Sequence, residues 1–126
     1  MLPPDARPSE AQIRDFVHAF YEEVRADPLL GPVFEGRLGD DWEAHLDKMV
    51  DFWSTILHAS GRYRGHPVPV HQGIPEITRA HYDRWLELFD ETLERVLDPV
   101  QAADVGGRAK RMRLVLDRAP SSGPTG

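Results

Sequence analysis

The sequence predicts an all-α protein, on three observations. Apolar residues recur with the helical period in four long segments. Residues that cap or break helices stand at the ends of those segments, and no stretch shows the apolar–polar alternation of a strand. Four main helices with short extra turns are therefore expected, packed around one cavity-forming core.

Residues 1–8 carry three prolines and no periodic pattern, and are expected to form a flexible or loosely docked arm. Ser9 followed by Gln12 has the spacing of a capping box, in which each side chain bonds the other's backbone N–H. From there Ile13, Phe16, Val17, Phe20, Tyr21 and Val24 fall on one helical face. This first helix should stop near Asp27, because the residue before Pro28 is pushed out of the α region. Leu29 to Phe34 reads as an apolar corner broken by Gly31 and Pro32, with a turn region running on through Gly36 and Gly39.

Asp40 or Asp41 can cap the second helix, whose apolar face is Trp42, His45, Leu46, Met49, Phe52, Trp53, Ile56 and Leu57. Residues 58–76 are too rich in glycine and proline for regular structure. The prolines make this connection stiff, since each fixes its own φ, and it contains His66 and His71. Thr78 is a reasonable cap for a third helix reaching Leu97, with His81, Tyr82, Trp85, Leu86, Phe89, Leu93, Val96 and Leu97 on its inner side. Asp98 and Pro99 supply a cap and a first-turn proline for the last helix. There Ala102, Val105, Ala109, Met112, Leu116 and Ala119 keep helical spacing. The Gly106–Gly107 pair inside it implies a close packing contact, a bend or a frayed turn. Residues 120–126 form a tail without core content.

Composition narrows the function. At 126 residues, 40% of them hydrophobic, the chain makes one domain with one core. No run of about 18 apolar residues offers a membrane span, and the N-terminus lacks a signal peptide's apolar stretch, so a cytoplasmic location is expected. A net charge of -6 argues against nucleic acid or an anionic membrane as partner. The basic cluster Arg108, Lys110, Arg111 and Arg113 is expected on the solvated face and positive last turns of a helix. With no cysteine, thiolate chemistry, disulfides and iron–sulfur ligation are excluded, leaving His, Asp, Glu, Tyr and Met as metal ligands.

Among those, His71 ends a stiff connection between two apolar helix faces, and His45 lies on such a face between Trp42 and Met49. Both have ordinary alternatives: a loop histidine facing water, and a packed histidine satisfied by backbone. Di-iron chemistry lacks Glu-x-x-His pairs, and a serine hydrolase lacks a Gly-x-Ser-x-Gly elbow. A mononuclear site of His45, His71 and His81 needs a convergence that spacing does not establish. Haem matches better, needing one axial histidine and a wide apolar slot lined by aromatics and methionine. A helical interaction module without haem also stays open.

Five pieces in order then resemble the group III truncated haemoglobins, shortened globins with a two-over-two helical sandwich around haem. They are Phe20-Tyr21-x-x-Val24-Arg25-x-Asp27, Leu30-Gly31-Pro32-Val33-Phe34, Trp42-x-x-His45-x-x-Lys48-x-x-x-Phe52-Trp53, Tyr63-x-Gly65-x-Pro67-x-x-x-His71 and Trp85-Leu86-x-Leu88-Phe89. The resemblance spans about 13–97, weakens in the last helix, and implies a globin domain over 9–119. It makes His71 the proximal ligand of haem b, His45 the distal gating residue, Tyr21 a distal tyrosine and Trp85 a tryptophan facing bound ligand. Phe34, Met49, Phe52, Trp53 and Tyr63 would line the haem, and Lys48, from its charge and helical position, is a candidate partner of a propionate. His81 departs from the family pattern, falling where an aromatic or apolar residue is expected. The resemblance implies binding of O₂ or another small diatomic ligand at ferrous iron. The alternative is NO dioxygenation or peroxidase-like turnover, which needs a separate reductase because the chain has no flavin or nicotinamide motif.

Overall fold

The structure, a computed structural model, describes residues 2–63 and 78–118, with the backbone alone at 4 and 115–118. A 3₁₀ turn at Pro4–Ala6 leads into α1 (Glu10–Ala26), α2 (Leu30–Leu38), α3 (Trp42–His58), α4 (Arg79–Val96) and α5 (Pro99–Arg118), and no strand occurs among the described residues. The capping box of Ser9 and Gln12 forms as expected, and α1 closes on Asp27 in an extended conformation. Asp98 likewise caps α5, its Oδ1 accepting the Gln101 N–H at 2.8 Å.

α1 is the hub. It packs on α2, α3 and α4, while α4 packs on α5 and touches α2. Its apolar stripe disappears entirely: Ile13, Phe16 and Val24 are at 0% exposure, and Phe20 at 1%. α3 and α4 are not among the helix pairs packed extensively on each other, so the sides they turn away from α1 stay partly uncovered. Among the described residues no helix is long and apolar enough to cross a membrane.

Two expectations change and a third narrows. The corner after Asp27 is a nine-residue helix, α2, that runs through Gly36. Asp27 Oδ2 accepts the N–H groups of Leu29 and Leu30 and so supplies the missing start signal. Pro32 falls in the first turn, where its lack of an N–H costs nothing. Second, Asp41 occupies the cap position of α3, but its side chain makes no capping bond. Third, of the two forms expected for the arm before α1, flexible or loosely docked, the described residues take the docked one. Arg7 donates to the Leu57 carbonyl at 2.8 Å, His58 Nε2–H to the Pro8 carbonyl at 2.6 Å, and Gln101 to the Ala6 carbonyl at 3.2 Å.

Of the glycine pair in α5, Gly106 makes a close packing contact. The helix is continuous through it, and a Cβ on Gly106 would stand 3.0 Å from Asp90 Oδ1 on α4. Gly31 is more tightly constrained, since its Cβ would meet the Arg25 carbonyl oxygen at 2.8 Å where α2 turns against the end of α1. The residues after α3 are tied back by charge. Arg62 donates to Glu10 Oε1 and to Asp51 Oδ1, both at 2.8 Å, and the buried Ser54 hydroxyl donates to Glu10 Oε2 at 2.5 Å. The Tyr63 N–H donates to Thr55 Oγ1 at 3.0 Å. These bonds fix the point from which the connection toward α4 departs. The connection over 64–77, with His66 and His71, and the tail over 119–126 lie outside the described residues.

Two stability measurements follow from this packing. Gly31→Ala should cost about 1–3 kcal/mol, because backbone would have to move to admit the methyl. A thermal midpoint that stays level or rises contradicts the close contact. The bond from Arg62, reinforced by Ser54, holds the Glu10 carboxyl below its ordinary range. A depressed carboxylate stabilises the fold above its unfolded pKa, and that contribution is lost as pH falls through the folded value. Glu10→Gln should therefore lower the midpoint more at pH 7 than at pH 3. Equal losses at both pH values would show that the carboxylate's charge is irrelevant there.

Candidate functional site

α3 presents two stripes because helical neighbours recur every three or four residues. Trp42, Val50, Trp53 and Leu57 turn toward α1 and are buried, Leu57 completely. His45, Met49 and Ile56 lie on the adjacent stripe and are half-buried, with the buried Phe52 among them. On α4, Trp85 and Leu86 are half-buried in the same way, and so is Phe34 on α2. All but His45 and Phe52 pack on the core as partly covered apolar groups.

His45 stands in an aromatic enclosure. Its ring meets Tyr21 edge-on at 4.9 Å and 88°, with Phe34 and Trp42 each at 6.3 Å, and its Nε2 is shut off from solvent. Trp42 is itself held: its indole N–H donates to Glu35 Oε1 at 3.1 Å, and Arg25 lies over its ring at 4.6 Å while also reaching Glu35. Burial pushes the Tyr21 phenol well above its ordinary pKa, so it keeps its proton and acts as a neutral donor.

The aromatic contacts run on from Tyr21. Phe20 meets Tyr21 at 4.9 Å and Trp85 at 5.0 Å, both edge-on, and Trp85 stacks on Phe89 at 4.8 Å and 22°. Phe89 stacks in turn on Trp53. Tyr21, His45, Phe34 and Trp85 are thus parts of one connected cluster. Phe52 and Tyr63 close its far end with an edge-on contact at 5.1 Å. Trp53 sits deeper, between Phe16 and Phe89, and backs the wall from within the core. Lys48 is exposed beside the wall, and Met49 is part of it.

His81 has a different task. Its Nδ1 accepts the Thr78 N–H at 3.1 Å and meets the Thr78 hydroxyl at 2.8 Å, closing the capping box of α4. That engagement takes it out of a three-histidine metal site. Among the described residues no group of His, Cys, Asp and Glu could hold a metal ion.

A groove of about 500 Å³ between α1 and α3 is lined by His18, Tyr21, Glu22, Arg25, Trp42, Glu43, Leu46 and Asp47. Half of its lining residues are charged, which suits water better than a flat apolar group. The partly covered side carrying His45, Met49, Phe52 and Trp85 has the opposite character. It exposes aromatic and thioether surface that the helices themselves do not bury, next to two polar side chains in an otherwise apolar setting. The donor set and the wall fit a broad, flat and mostly apolar prosthetic group.

Sequence reasoning missed Asp27 and Arg84 at the corner behind this wall. The Asp27 side chain is 2% exposed and accepts from Arg84 Nε at 2.7 Å. Burial, the largest influence, pushes its pKa up, but the bonds from the Leu30 N–H, Arg84 and the Leu29 N–H outweigh it and hold the carboxyl below its ordinary range. The order Asp-Pro followed by an apolar run was the available signal, since an aspartate there can cap a following helix.

Residues 6–115 match the family model described as bacterial-like globin. The chain is 34% identical over 91 residues to the group 3 truncated hemoglobin ctb of Campylobacter jejuni, an overlap covering 70% of this chain and 72% of that protein. The crystal structure of a group III truncated hemoglobin from Campylobacter jejuni superposes with a TM-score of 0.83 at 30% identity, covering 86% of this chain and 87% of that one.

Proposed function

Since this chain belongs to the bacterial-like globin family, and within it to the group III truncated haemoglobins, we propose that it holds haem b and binds O₂ or another small diatomic ligand beside Tyr21, His45 and Trp85. The observation that carries the reading is the buried, protonated Tyr21 set edge-on to His45 at 4.9 Å inside an aromatic enclosure. When bound, the haem would supply an iron that takes up a diatomic ligand and polarises it.

The protein's part is to shape what surrounds that ligand. In this reading His71 would hold the iron. Phe34, Met49, Phe52 and Tyr63 would line the group, Trp53 would stiffen the wall from behind, and Lys48 would pair with a propionate. Tyr21 O–H and Trp85 N–H would donate hydrogen bonds to a polarised ligand, and low local dielectric would strengthen both. His45, inside the enclosure beside Tyr21, would control passage to the ligand.

A net hydrogen bond contributes about 0.5–1.5 kcal/mol. Two of them should slow release of a polarised ligand by roughly one to two powers of ten, at about 1.4 kcal/mol per tenfold. O₂ becomes more polarised than CO. Tyr21→Phe and Trp85→Phe should therefore speed O₂ release several-fold while leaving CO release nearly unchanged, as read by stopped-flow ligand replacement. Equal acceleration of both ligands contradicts the hydrogen-bonding role.

A further inference from the structure

We infer that Asp27, acting through Arg84, is a positioning residue for Trp85 and sets where the indole stands relative to Tyr21. The inference rests on the reading of Trp85 as a ligand donor given above.

One carboxylate joins three helices. Asp27 closes α1, its Oδ2 accepts the first N–H groups of α2 at 3.0 and 2.9 Å, and its Oδ1 accepts from Arg84 on α4 at 2.7 Å. Arg84 is further held by Glu87 at 2.6 Å. Trp85 is the next residue of the same helix, so its backbone cannot move independently of Arg84. Trp85 also meets Phe20 edge-on at 5.0 Å and stacks on Phe89 at 4.8 Å, ring contacts that hold the indole in the apolar cluster without a directional polar bond. The Asp27–Arg84 bond is charge-assisted and directional, and the buried carboxylate cannot give up its partner cheaply. Tyr21 lies six residues before Asp27 on α1. The pair therefore fixes the register between the helix that carries one donor and the helix that carries the other.

The test uses the full chain loaded with haem in its CO form. Asp27→Asn keeps an acceptor for the α2 amides but loses the ion pair, Arg84→Gln leaves Asp27 in place should the first variant fail to fold, and Arg84→Lys keeps the charge. The first readout is the ¹⁵N–¹H resonance of the Trp85 indole, assigned by its loss in Trp85→Phe. Asp27→Asn and Arg84→Gln should shift it, Arg84→Lys should return it toward its original place, and the Trp42 and Trp53 indoles should stay put. The second readout is ligand release. Asp27→Asn should speed O₂ release over CO release by roughly three- to tenfold, the equivalent of one hydrogen bond. The same change made in Trp85→Phe should alter it less than twofold. An unmoved Trp85 resonance, a shift shared by all three indoles, or effects of Asp27→Asn and Trp85→Phe that multiply would each overturn the inference while leaving the donor reading intact. A Trp85→Phe variant with unchanged O₂ release would overturn the donor reading and the inference with it.

Discussion

Phe20 touches Tyr21 at 4.9 Å and both Trp85 and Phe89 at 5.0 Å, with every ring meeting it edge-on. Such contacts between rings are favourable beyond the area they bury, and this one residue joins α1 to α4 at the level of the site. On its inner side Phe89 and Trp53 continue into the core, and on its outer side Tyr21 and Trp85 border the enclosure. Core packing and the proposed ligand site therefore share a single aromatic chain.

Polar groups enter this apolar setting only where something holds them. Tyr21 is kept neutral by burial. Asp27, the one carboxylate among the buried described residues, is kept ionised by two backbone amides and a guanidinium. Trp42 takes a carboxylate on its N–H and a guanidinium on its face. The last two each fix one boundary of the enclosure: α1 against α4 at Asp27, and α2 against α1 and α3 at Glu35. The half-covered wall of Met49, Trp85 and Leu86 remains, and a flat group laid on it would bury apolar surface that the helices leave accessible.

Much of this was legible in the sequence, because helix faces are local. The stripe of α1, the capping box of Ser9 and Gln12 and the Asp98–Pro99 start of α5 all depend on residues within a few positions of each other. Residues that act across the chain were harder to read. α2 looked like a turn because Gly31, Pro32 and Gly36 are breakers by propensity. The capping carboxylate of Asp27 and the tight approach of Gly31 to Arg25 override that propensity. Trp53 follows Phe52 by one position and so faces differently, its ring standing between Phe16 and Phe89 in the core. His81 shares the spacing of the buried side of α4, but its place in the first turn commits it to capping Thr78. The bond from Arg84 to Asp27 links residues 57 positions apart, and nothing in either local sequence marks it.

In the proposed function, haem lies on the partly covered aromatic side of α3 and α4, and His71 holds its iron. The absorption spectrum of the purified chain after haem addition, compared with that of His71→Ala, tests both parts at once. A strong Soret band with sharp ferrous-CO features is expected in the original chain, and a shifted, weakened band in the variant. A chain that binds no haem, or a variant whose spectrum is unchanged, would contradict the proposal.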